Sequence, residues 1–216
     1  LIKLGVAPLH WWVPDTYQGA NTPTTLFIST LPKFGIAAIL YKILQFVFYP
    51  LACYNFLCQS LIFIGLISIL WGNLSALTQQ NVKRLLSYSS IAHMGIILVA
   101  LSVPQFYTSD YNLEVVAYAY LIIYTLASLI RFYVIIEVNE QYSSQIDLNT
   151  LRGLSQINPT LACFLLISLF STAGIPPMAG FFAKLPIISL MVQNQYSYFA
   201  IVVMLLSAIG VGYYIN

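Results

Sequence analysis

Four stretches of this chain, Ile43 to Val82, Leu85 to Ser109, Gly153 to Ala183 and Leu185 to Asn216, contain no Asp, Glu, Lys or Arg. Each is longer than the ~20 apolar residues a helix needs to cross a bilayer's hydrocarbon core. Of the 216 residues, 60% are apolar and 6% charged, whereas soluble domains carry about 25% charged residues. A water-soluble fold is thereby excluded. The apolar runs are continuous rather than alternating in segments of about 10 residues, which sets aside a transmembrane barrel. The fold class is all-α: a polytopic transmembrane helical bundle embedded in lipid.

A net charge of +2 with scattered basic residues gives nucleic acid nothing to bind. Cys53, Cys58 and Cys163 form no CxxC pair, and His10 and His93 form no HExxH motif. The sequence therefore predicts no metal and no cofactor in this chain, and the cysteines read as small apolar fillers. The chain lacks an initiator methionine and begins in an apolar stretch interrupted by Lys3, so it reads as starting inside a span. Its many Tyr, Phe, Ile and Asn residues resemble the product of an AT-rich organellar genome.

Polar interruptions mark about seven helical segments: Leu1 to Tyr17, Thr22 to Phe48, Tyr54 to Leu77, Lys83 to Val103, Tyr111 to Val138, Pro159 to Gln193 and Tyr196 to Tyr214. The connection Asn139 to Asn158 reads as a solvated loop with one short surface helix. Pro159 to Gln193 as one helix would be roughly 52 Å long, so it must break. Gly174, Pro176, Pro177 and Gly180 supply the break, because proline removes an amide donor and clashes with the preceding turn. Alternate crossings put Lys83, Arg84 and Arg152 on one side, with only Lys42 near a helix end opposite. That favours the first side as cytoplasm or matrix.

The lysines inside spans carry the functional argument. Lys33 lies roughly 16 Å along its helix, near the bilayer midplane, directly after Pro32. Lys184 follows the glycine and proline break, and Lys3 precedes Gly5 and Pro8. A lysine at a helix centre costs ~2.5 to 3.5 kcal/mol when it faces lipid, so these side chains are expected to face inward. There burial disfavours the charged amine and a nearby charge can restore it, which is what a proton relay requires. His10, seven residues after Lys3, shares its face if the helix stays regular past Pro8. His93 lies mid-span, and both histidines titrate near neutral pH when unperturbed. For His10, near the interface, a structural hydrogen bond stands beside a relay role. Lys42 reads as snorkelling to the interface. Arg131 reads as structural, either snorkelling or paired with a carboxylate of a neighbouring helix or chain.

Three blocks carry a family resemblance: Lys3-Leu4-Gly5-Val6-Ala7-Pro8-Leu9-His10-Trp11-Trp12-Val13-Pro14-Asp15-Thr16-Tyr17-Gln18-Gly19-Ala20 with Leu31-Pro32-Lys33; Asn81-Val82-Lys83-Arg84-Leu85-Leu86-Ser87-Tyr88-Ser89-Ser90-Ile91-Ala92-His93-Met94-Gly95; and Ala173-Gly174-Ile175-Pro176-Pro177-Met178-Ala179-Gly180-Phe181-Phe182-Ala183-Lys184. They resemble the antiporter-like subunit 2 of respiratory complex I, called subunit N in bacteria. Lysine rather than glutamate at 184 favours subunit 2 over subunit 4.

The resemblance implies an inverted-repeat, antiporter-like fold with broken helices. Residues 1–48 would end the first repeat, and 49–216 would form the second with its break near 173–186. It implies a proton path through Lys3, Lys33 and Lys184, to which the residues themselves add His93 and His10. It implies other complex I membrane-arm subunits as partners in a mitochondrial inner membrane, or in a bacterial plasma or thylakoid membrane. Members typically have about fourteen helices. The glutamate that the family pairs with the lysine of the first broken helix would lie upstream, so a separate chain is expected to supply it with the missing helices. Arg131 has no counterpart in the family pattern.

Overall fold

The structure, a computed structural model, describes residues 1–49, 54–103, 113–142, 147–151 and 153–215. A single 3-10 turn, Ile2–Leu4, precedes α1 (Trp12–Gly19) and α2 (Thr22–Lys42), which continues through a π-helical stretch, Ile43–Phe48. Then follow α3 (Tyr54–Leu77), α4 (Val82–Ser102), α5 (Leu113–Tyr142), two one-turn helices α6 (Leu148–Leu151) and α7 (Leu154–Ile157), α8 (Pro159–Ala173), α9 (Ala179–Gln193) and α10 (Ser197–Ile215). Among the described residues, five helical segments are long and apolar enough to cross a membrane, and α8 and α9 are shorter apolar helices. The all-α transmembrane bundle is as expected.

Two boundaries differ from the sequence reading. The connection after α5 holds two one-turn helices rather than one, and Arg152 lies outside the described residues. The segment Leu1 to Tyr17 is not one helix. Gly5 adopts φ 74°, ψ 38°, a left-handed conformation, and ends the 3-10 turn, and the chain becomes α-helical again only at Trp12. The expected sharing of one helical face by Lys3 and His10 therefore fails, because that argument needs an unbroken 3.6-residue period. The cysteines also divide: Cys58 is buried, Cys163 is exposed on α8, and Cys53 lies outside the described residues.

α2 shows how the bundle is built. Thr22, Thr25, Ser29 and Lys33, spaced three or four residues apart, are buried, while Phe27, Leu31 and Ile39 are exposed. This is a soluble helix turned inside out, as expected where the solvent is hydrocarbon. α4 is buried along nearly its whole length and forms the axis. Asn81 starts it, its side-chain oxygen accepting from the amides of Lys83 and Arg84, which satisfies two of the orphan donors at a helix start.

α3 lies backbone to backbone against α4. A Cβ added to Gly95 would sit 2.7 Å from the Gly65 carbonyl oxygen, and one added to Gly72 would sit 2.7 Å from the Ala92 amide nitrogen. Close approach through small residues is how membrane helices gain packing energy. Gly95→Val is expected to push α3 off α4 and cost at least the ~1–3 kcal/mol typical of overpacking. The check is the yield and thermal stability of the detergent-solubilised protein. A variant as stable as the parent would show that the contact is dispensable.

Polar ends of the helices meet on one side. Lys83 Nζ donates to the Ala20 carbonyl at 3.0 Å, and Arg84 donates to Gln18 at 3.0 Å and Asp15 at 3.3 Å. The Leu148 amide donates to the Gln80 carbonyl. The turns after α1, α3 and α5 thus share one face, as alternate crossings require.

Apolar packing divides into two cores. One contains Ala37, Ile69, Met94, Tyr124 and Ala183, and the other contains Ala76, Ile91, Phe132 and Ala173, with Ile28 packed against it. Along α2, α3, α4 and α5 the change from one core to the other falls at polar residues: Lys33 on α2, Asn73 on α3, His93 on α4 and the Ser128 to Arg131 stretch on α5. The α8–α9 break lies at the same level. A polar layer therefore crosses the middle of the bundle between two apolar ones.

Candidate proton-relay site

Each side chain of this layer is placed by local backbone chemistry. Lys33 follows Pro32 within α2 and is 5% exposed. Its Nζ donates to Ser90 Oγ of α4 at 2.9 Å and lies 5.2 Å from the centroid of the Tyr124 ring. Neither partner is an anion. A buried amine held by one hydroxyl and one aromatic face has no counter-ion that would trap its charge.

His93 stands next along α4. Its Nδ1 is 2.7 Å from the Tyr120 hydroxyl and its Nε2 3.3 Å from the Tyr214 hydroxyl, which also bonds Ser89. A neutral imidazole donates through one nitrogen and accepts through the other. The two phenols therefore flank a group that passes a proton by exchanging tautomers. Tyr124 packs on the ring, centroids 4.9 Å apart.

Lys184 depends on the helix break. α8 ends at Gly174, whose φ of 82° and ψ of 38° suit a residue without Cβ. The Gly180 amide, at the start of α9, donates to Ser171 Oγ. Lys184 Nζ then reaches back to the carbonyls of Thr172 and Ala173, 3.0 Å to each. These belong to the last turn of α8, where carbonyls lack intrahelical partners and the helix dipole is negative.

A cavity of about 10 Å³ touches His93, Thr172, Lys184 and Tyr214, and a second of about 10 Å³ touches His93, Tyr120 and Thr172. Each is near the lower limit of the size a single water requires. His93 and Thr172 line both.

Arg131 does not snorkel, and among the described residues no carboxylate pairs with it. It is 2% exposed, donates to Thr172 Oγ1 at 2.9 Å and the Ser168 carbonyl at 3.4 Å, and lies 5.9 Å from the Tyr124 centroid. Among the described residues the ion pair is Arg84 with Asp15, at the bundle's end.

The structure thus brings together Lys33, His93 and Lys184 of the five sequence candidates. Lys3 is exposed on the 3-10 turn. His10 sits in the first break, edge-on to Trp71 with centroids 6.0 Å apart, and its Nδ1 is buried without a hydrogen bond. No hydrogen bond among the described residues links either to the cluster. In that first break the freed Ala7 amide is met by Ser68 Oγ of α3 at 2.9 Å, as a loosened helix in hydrocarbon demands.

Sequence reasoning missed Tyr120, Tyr124, Tyr214, Ser90 and Thr172. A signal existed for one helix: Tyr120, Tyr124, Ser128 and Arg131 recur at helical spacing, a polar stripe on α5.

The family model for the NADH:quinone oxidoreductase/Mrp antiporter transmembrane region matches residues 1–210. The chain belongs to this family. It is 37% identical to NADH-quinone oxidoreductase subunit N of Azoarcus sp. (strain BH72), over 99% of this chain and 44% of the relative. It is likewise 37% identical to subunit N of Coxiella burnetii, over 99% and 43%. A chain of respiratory complex I from Thermus thermophilus superposes with TM-score 0.79 at 33% identity, covering 99% of this chain and 45% of that one. A chain of the Mrp complex from Dietzia sp. shares the fold at TM-score 0.86 and 22% identity. The chain spans a little under half the length of the subunit N relatives it matches.

Proposed function

We propose that this member of the antiporter family is a proton-translocating membrane-arm subunit of NADH-quinone oxidoreductase. The observation that carries the reading is the layer of buried Lys33 and His93 and half-buried Lys184, held by hydroxyls, phenols and backbone carbonyls between two apolar cores. Lys33, His93 and Lys184 each exchange protons, and hydroxyls or phenols contact Lys33 and His93. None of the relay contacts described is to a carboxylate that would fix a charge in place. Lys3 and His10, at the first helix break, are assigned to the same relay, although among the described residues no hydrogen bond links them to the layer. Residues 1–48 read as the end of one repeat and 49–216 as the second.

Redox chemistry belongs to other subunits, and this chain needs no cofactor of its own. Its partners are the other membrane-arm subunits and lipid. The bacterial relatives favour a plasma membrane and the aromatic-rich composition an organellar one.

The test has two stages. Affinity-tagged chain, extracted in mild detergent, should carry NADH-quinone reductase activity with it. In sealed vesicles that activity should drive proton movement, and changes in the polar layer should lower the protons moved per NADH. Purification as an isolated cation/proton transporter would select a free-standing antiporter instead. Normal pumping after loss of the layer's amines would leave only a scaffold role.

A milder change probes the histidine. Tyr214→Phe removes the hydroxyl shared by Ser89 and His93 and is expected to cost ~0.5–1.5 kcal/mol of stability with a several-fold slower proton transfer. Stopped-flow acidification of vesicles reads the second effect. Unchanged transfer would remove Tyr214 from the path.

A further inference from the structure

Arg131 is the part of the polar layer that the relay does not use. Its guanidinium shares the Tyr124 ring with Lys33, the two cations standing 5.9 and 5.2 Å from the ring centroid. It shares Thr172 with Lys184, taking the hydroxyl while Lys184 takes the carbonyl. It is thus one shared residue away from each amine. Among the described residues its Nε has no acceptor, and neither of its hydrogen bonds is to a carboxylate. A guanidinium stays charged at any working pH, and away from salt and water its field reaches neighbours across the layer.

The elements packed on α5 carry these charged and titratable groups near Arg131: Lys33 from α2 and His93 from α4, and, through the shared Thr172, Lys184 from α9. The phenols of Tyr120 and Tyr124 lie on α5 itself, and α8 contributes the hydroxyl and carbonyl already named. Tyr17 of α1 and Tyr213 and Tyr214 of α10 complete the surroundings. Nothing in this set other than Arg131 is positive under all conditions.

We propose that Arg131 is a positioning residue of the relay. It is a permanent positive charge, tethered by Thr172 beside Lys33 and Lys184, that disfavours the protonated form of each amine and so keeps both able to release a proton. The proposal rests on the relay reading. A purely structural arginine would work through its hydrogen bonds, whereas this one works through its charge. Removing the charge lets the protonated amines hold on more firmly, so release, and with it pumping, moves to higher pH.

The experiment measures protons translocated per NADH, from neutral to alkaline pH, by the intact oxidoreductase carrying this chain in sealed vesicles. Arg131→Gln keeps a donor for Thr172 without charge, and Arg131→Lys keeps the charge. Arg131→Gln should assemble normally, with its pumping profile displaced about one pH unit to the alkaline side, a ~10-fold effect on proton occupancy. Arg131→Lys should restore the parental profile. An unmoved profile in Arg131→Gln, a Lys variant that behaves like Gln, or loss of assembly in both would overturn the proposal. Lys33→Ala is run in parallel to separate the two levels. If it pumps normally the relay itself fails, whereas a dead Lys33→Ala beside an unmoved Arg131→Gln removes only the role of Arg131.

Discussion

Alanine at Lys33 is expected to cut proton translocation by about 10²-fold or more, the scale on which a positioned proton-transfer group contributes, while the protein still assembles. The second half of that expectation comes from two opposed terms. Truncating a large buried side chain costs ~2–5 kcal/mol in lost packing. Removing a cation with no counter-ion relieves a desolvation penalty of several kcal/mol. Ser90 loses only a donor, and as a hydroxyl it can turn to a backbone carbonyl of its own helix. Lys33→Met separates the terms further, because it keeps most of the volume while dropping the amine with its charge, its exchangeable protons and its bond to Ser90. Both variants should show normal levels of assembled complex and strongly reduced proton movement per NADH in vesicles. Equal pumping by Lys33→Met and the parent would sink the relay role of Lys33.

How much of this was legible depends on what kind of contact held each residue. The fold class followed from hydrocarbon thickness alone. Bounds such as Tyr54–Leu77 and the break between Pro159 and Gln193 followed from punctuation by Gly, Pro and amides, because those residues act on their own backbone. Lys33 and Lys184 stood out because a charge at that depth is costly wherever its helix packs. Their partners did not stand out. Ser90 lies 57 residues from Lys33 and Tyr214 lies 121 from His93, and no local rule brings such pairs together. The reading of Lys3 with His10 failed because a single left-handed residue, Gly5, resets the helical phase between them. Arg131 reads from sequence as structural, by snorkelling or by pairing with a carboxylate, and its actual partners, Thr172 and the Ser168 carbonyl, lie 41 and 37 residues away, where no local rule points. The polar stripe it completes on α5 points inward instead.

Lys184 gives the second large expected effect, and there the structure separates two jobs that the sequence merges. The amine caps the broken helix, donating to the Thr172 and Ala173 carbonyls at 3.0 Å each, and it is a candidate proton carrier. A carbonyl left without a donor in a buried site costs ~1–3 kcal/mol, and two such carbonyls at the negative end of α8 would loosen the turn that sets α9. Lys184→Gln offers N–H groups without an exchangeable charge, while Lys184→Met offers neither. The expectation is that Lys184→Gln assembles near normal levels yet loses pumping about 10²-fold, by the same acid–base argument. Lys184→Met should lose pumping equally and also unfold several degrees earlier in detergent, a shift in keeping with a loss of ~1–3 kcal/mol. The discriminating variant is glutamine. Restored pumping in Lys184→Gln would reduce Lys184 to a helix cap and leave Lys33 and His93 as the relay's proton carriers. Lost pumping with intact assembly would show that the same ammonium both holds the break open and carries the proton across it.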